Sequence, residues 1–172
     1  MRWSRFVPAV ALPCLLGFVL GCGGPSTPPP STPSPLVGAA LPKFERRTVN
    51  ASKVNSGAGG QVVVVKFFAK YCEPCKKTLP AAERIHRDRP DVLFVGVAED
   101  EYQADVQEMI DHYQLTFPVV HDRGNVLAGR FRVQDLPITF VADKAGTVRW
   151  VGGGKASESD LEAAIEWAQG AP

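Results

Sequence analysis

Residues 61–80 read QVVVVKFFAKYCEPCKKTLP, and two patterns meet inside them. Gln61 to Ala69 is a continuous apolar run rich in β-branched residues, preceded by Gly59 and Gly60. A run of that kind, with no polar alternation, predicts a strand buried on both faces. From Glu73 to about Arg87 the period becomes helical, with Leu79, Ala82 and Ile85 on one face. The pair Cys72-Glu73-Pro74-Cys75 falls where the strand has ended and the helix begins.

That placement gives the cysteines a chemistry. A thiol at a helix N-terminus faces unpaired N–H groups and the positive end of the helix dipole, and both favour the nucleophilic thiolate. Cys72, outside the helix, is expected to be the exposed attacking sulfur. Cys75, one turn in, is expected to be partly buried and to resolve a mixed disulfide by attacking Cys72. Pro74 suits the first turn, where its missing N–H costs nothing. A zinc half-site would need a second ligand pair, and His86, His112 and His121 are not spaced to form one. No metal and no cofactor are expected. A purely structural role is weak, because so short a loop constrains the unfolded chain little.

The remaining pattern predicts a second buried strand over Val92–Val97 and an amphipathic helix over Tyr102–Tyr113. A short extended piece, Phe117–Val120, precedes a turn and a short helix over Val126–Phe131. Strands at Ile138–Val141 and Thr147–Val151 read as a hairpin joined by Asp143–Gly146. A last helix starts near Ser157 or Ser159, and Ser159 with Glu162 has capping-box spacing. The acidic run Glu99-Asp100-Glu101 is expected in a surface loop. The sum is an α/β fold with a mixed central sheet flanked by helices on both faces.

At the other end, Arg2 and Arg5 precede an apolar stretch from Phe6 to Leu20, too short to span a bilayer. This is the shape of a signal peptide, expected over residues 1–21. Val19-Leu20-Gly21-Cys22 is similar to the bacterial lipobox, which implies lipidation of Cys22. Residues 22–35, rich in Pro, Ser and Thr, read as a solvated tether, and residues 36–172 as the folded domain. Cleavage before Cys22 removes Cys14 and leaves Cys72 and Cys75 as the free thiols. Of the 172 residues, 45% are hydrophobic and 22% charged, and the formal charge is +1. Without a basic excess the chain is not expected to bind nucleic acid.

Taken with Phe117-Pro118-Val119-Val120, Leu136-Pro137-Ile138-Thr139-Phe140-Val141 and Asp143-x-x-Gly146, the Cys72–Cys75 segment resembles thioredoxin-fold proteins of the TlpA/ResA type. The resemblance covers about Gly38 to Trp167. It implies a thioredoxin-like fold and a thiol–disulfide oxidoreductase. The expected enzyme is a membrane-anchored, extracytoplasmic reductant that acts on protein disulfides, with cytochrome c maturation among its possible settings. A membrane thiol reductase would supply its electrons. The expected location is the periplasm, with Gly23 pointing to the outer membrane, and the expected form is a monomer. By the same resemblance Pro137 is a cis-proline beside the cysteines, and the backbone of Leu136 can pair with an extended substrate.

The match fails at two places. Thr78 stands where relatives carry a glutamate after the second cysteine, and Lys66 where thioredoxins bury an aspartate. Lys66 reads either as a residue whose amine snorkels to the surface or as a cation that favours the Cys75 thiolate. The Thr78 hydroxyl or a water would then relay the proton. Glu73 beside Cys72 opposes its thiolate, Tyr71 stands where many relatives have Trp, and Lys76 and Lys77 read as a solvated face. Three other readings remain open here: a DsbA-like oxidant, a copper-binding assembly factor, and a non-catalytic scaffold on the same fold.

Overall fold

The computed structural model describes residues 27–57 and 59–171. The signal segment, Cys14, Cys22 and the start of the tether lie outside the described residues.

A five-stranded sheet has the order β5-β4-β3-β6-β7, with the apolar run at its centre. β3 (Val63–Phe68) is buried along its whole length, as continuous hydrophobicity predicts. It pairs in parallel with β4 (Leu93–Ala98), which pairs in parallel with β5 (Val119–His121). On its other side it pairs antiparallel with β6 (Ile138–Ala142), which forms a hairpin with β7 (Val148–Gly152). At the hairpin turn the Asp143 carboxylate accepts from the backbone N–H groups of Ala145 and Thr147, and Gly146 takes a φ of +84°.

Alternate residues of β3 feed two cores. Val64 and Phe68 pack with α1 (Glu73–Asp88), α2 (Gln103–Tyr113) and α4 (Glu158–Gly170) through Leu79, Ile85, Met109 and Ile165. Val63, Val65 and Phe67 pack on the opposite face with α3 (Val126–Phe131) through Leu127 and Phe131. The predicted thioredoxin-like mixed sheet with helices on both faces is therefore present. On β7, Gly152 has no room for a side chain: a Cβ there would lie 2.0 Å from the Trp150 ring.

Three features depart from expectation. A small hairpin of β1 (Glu45–Arg47) and β2 (Lys53–Asn55) escaped the pattern, because its three-residue strands bury little beyond Val54. The capping box of α4 is built on Ser157 and Asp160, not on Ser159 and Glu162. The tether is not wholly solvated. The Trp150 indole donates to the Pro30 carbonyl at 2.7 Å, and the Thr32 N–H donates to the Val151 carbonyl at 2.7 Å. The Thr32 hydroxyl accepts from the Gly153 N–H at 2.9 Å. Residues 30–32 thus occupy hydrogen-bonding groups that β7, an edge strand, would otherwise leave open.

Candidate active site

Cys72 is the N-cap of α1, and its sulfur accepts from the Cys75 N–H at 3.2 Å. The two cysteines form a disulfide with their Cα atoms 5.3 Å apart. Helix geometry brings residues three apart to one side, so the spacing alone places the sulfurs together. Pro74 lies in the first turn, and Pro80 lies inside the helix without ending it. Cys75 is fully buried, beyond the partial burial expected. Cys72 is only 6% exposed, so the expectation of an openly exposed sulfur is corrected.

The surroundings explain the shielding. Cys72 is reached from a recess of about 610 Å³, lined by Tyr71, Pro74, α3 residues and the loop from Val133 to Leu136. The Leu136–Pro137 peptide is cis. Pro137 lies beside Pro74, with Gly154 close to both: a Cβ on Gly154 would be 3.3 Å from the one and 3.6 Å from the other. Leu136 lines the recess, and Tyr71 projects from it at 72% exposure. Burial, and then Glu99 and Asp100, push the Tyr71 phenol above its ordinary value.

Charge is distributed unevenly here. Among the described residues, Glu73, Glu99 and Asp135 line the recess, and no basic side chain does. Lys76 donates to Glu73 at 2.7 Å, which holds that carboxyl below its ordinary value. Lys76 therefore offsets the charge beside Cys72 and is more than part of a solvated face. Lys77 is exposed.

Lys66 does not snorkel. It is 4% exposed, and its ammonium donates to the Thr139 hydroxyl at 3.4 Å. Burial pulls its pKa down to about 8. Thr78 donates to the Cys75 carbonyl at 3.2 Å, which engages the backbone of the resolving cysteine. Lys66 and Thr78 line one cleft, separate from the recess at Cys72.

Glu99 was missed by sequence reading, which placed the whole acidic run in a surface loop. Its N–H donates to the Phe68 carbonyl, and its Oε1 is buried without a hydrogen-bond partner among the described residues. Burial, then Asp122 and Asp100, push its pKa up to about 7. Asp100 is 4% exposed, and one of its oxygens accepts from the Lys70 N–H at 2.9 Å. A signal existed: β3 and β4 are parallel neighbours, so the residues just after both strands meet at the carboxyl end of the sheet.

Among the described residues, no group of three or more His, Cys, Asp or Glu side chains is placed to hold a metal ion. What the arrangement can do is exchange disulfides. One sulfur faces a recess, its partner is buried behind it, and a helix terminus stabilises the developing thiolate.

Comparison with known proteins agrees. The profile of the AhpC/TSA family matches residues 37–151. The thioredoxin-like protein YneN of Bacillus subtilis is 26% identical over 134 residues, 75% of this chain and 78% of that protein. The thiol-disulfide oxidoreductase ResA of Oceanobacillus iheyensis is 29% identical over 133 residues, 73% of this chain and 69% of that protein. Among solved structures, StoA from Bacillus subtilis superposes with a TM-score of 0.65 at 26% identity, covering 78% of this chain and all of StoA.

Proposed function

Because this chain belongs to the AhpC/TSA family, and within it carries a CxxC pair on a thioredoxin fold related to ResA, we propose that it is an extracytoplasmic reductant of protein disulfides. The observation that carries this reading is the Cys72–Cys75 disulfide at the N-terminus of α1, opening on the recess beside Leu136 and Pro137. In the reduced protein the Cys72 thiolate attacks a substrate disulfide and expels one substrate thiolate. The Cys75 thiolate then attacks Cys72, releases the second substrate thiolate and re-forms the internal disulfide. Two electrons have passed to the substrate, and a membrane thiol reductase returns them. The Lys66 ammonium favours the Cys75 thiolate, and Thr78 fixes that turn of the helix. The Leu136 backbone pairs with the substrate as it lies across the recess.

Cys22 carries the lipid, and the Pro-rich segment spaces the domain from the membrane on the periplasmic side. The lipobox-like residues before Cys22 and the composition after it support this part. Apocytochrome c, or other secreted proteins with oxidised cysteines, are the substrates in view.

The midpoint potential of the Cys72–Cys75 pair is the test. A value near or below the ~−270 mV of thioredoxin fits a reductant, and a value near the ~−120 mV of DsbA overturns that direction. In cells, Cys75→Ser is expected to accumulate mixed disulfides through Cys72. Their absence would remove the exchange reaction itself.

A further inference from the structure

The cleft that holds Lys66 is separate from the recess through which a substrate reaches Cys72. Its volume is about 290 Å³, and it lies between α1 and the turn from β7 into α4, sharing no lining residue with the recess. The charged groups that line it are Lys66, Lys77, Arg84 and Glu158. Arg84 and Glu158 pair with each other at 2.6 Å. That leaves two cations with no carboxylate within ion-pair distance among the described residues, and one of them is buried. Buried charges are ordinarily paired, because an ion removed from water without a counter-charge is costly. Lys66 spends one proton on the Thr139 hydroxyl and has two more to give. Thr139 accepts that bond, which leaves its own O–H free to donate.

We propose that this cleft binds a small oxyanion, a carboxylate or a sulfate-like group, with Lys66 as its counter-charge and Thr139 as a second donor. The volume exceeds what a monatomic ion fills, and donors on two strands and a helix suit several oxygens at once. Thr78 carries the occupant's influence to the helix of the redox pair, since its hydroxyl holds the Cys75 carbonyl. Bound anion holds the Lys66 proton in place, so affinity falls as pH rises through about 8.

Sulfate, whose charge is constant over this range, is the first probe. It is titrated into the full-length protein at fixed ionic strength balanced with chloride, with calorimetry and melting temperature as readouts. Saturable binding is expected, weakened at least tenfold by Lys66→Met and several-fold by Thr139→Val. Lys66→Met removes a buried charge and is expected to fold. Succinate in place of sulfate separates the two sources: tighter succinate binding marks a carboxylate ligand, tighter sulfate binding a sulfate- or phosphate-bearing one. Failure of both anions to saturate, an equal response to chloride, or undiminished binding in both variants overturns the site.

Discussion

Lys66 keeps its charge in a place that water barely reaches, and the cost of that charge has a pH signature. Its folded-state pKa, about 8, lies below the ordinary 10.5. Between those values the unfolded chain binds more protons than the folded one, so the contribution of this group to stability rises with pH across the window. Below about pH 8 the penalty is present in full, about 3 kcal/mol from the size of the shift. Lys66→Met is therefore expected to raise stability at pH 7 in anion-free buffer and to close the gap to the wild type by pH 10.5. Urea melts of both proteins at several pH values measure this. Glu99 runs the other way. Its pKa is raised from the ordinary 4.5 to about 7, so the folded state holds an extra proton between these values and loses that stabilisation as pH rises through 7. Glu99→Gln is expected to flatten the stability profile between pH 4.5 and 7. Sequence placed both residues on the chain correctly. It did not show their surroundings, because Lys66 is enclosed not only by α1, the next element, but also by β6 and the α4 turn, which are distant in sequence. Of the run Glu99-Asp100-Glu101, only Glu101 behaves as a solvated acidic loop residue should.

The helices show what local sequence carries and where it becomes ambiguous. The start of α1 was legible from Cys72 and Pro74, and α3 runs over Val126–Phe131 as its pattern predicted. The start of α4 was expected near Ser157 or Ser159, with Ser159 and Glu162 as the capping box, and that pairing is not the one formed. The box is built on Ser157 and Asp160 instead. Ser157 accepts from the Asp160 N–H, and the Asp160 carboxylate accepts from the Ser157 N–H at 2.8 Å. Ser157→Ala is expected to cost about 1 kcal/mol and Ser159→Ala a few tenths at most, read from chemical denaturation. The β1–β2 hairpin was invisible for a different reason. Glu45, Arg46 and Arg47 are all exposed, so the strand carries no alternation to detect.

For the molecule as a whole, the central sheet and the redox pair were readable because hydrophobic runs and cysteine placement are local signals. The outer edge of the sheet was not, because Pro/Ser/Thr composition describes how a segment behaves alone. Here Pro30 to Thr32 find partners on β7. A chain cut to begin at Leu36 leaves the Trp150 indole N–H without its carbonyl and uncovers Val151 and Gly153. It is expected to lose about 2 kcal/mol of stability relative to a chain beginning at Thr27. Thermal melts of the two truncations compare them directly.

The docking of residues 30–32 also fixes where the leash is tied. On the proposed lipidation of Cys22, Pro30 lies eight residues on from the anchor, and fully drawn out that stretch would span at most about 28 Å. Lengthening the chain before Pro30 would widen the radius the domain sweeps, whereas extra residues after Thr32 would disturb its mooring.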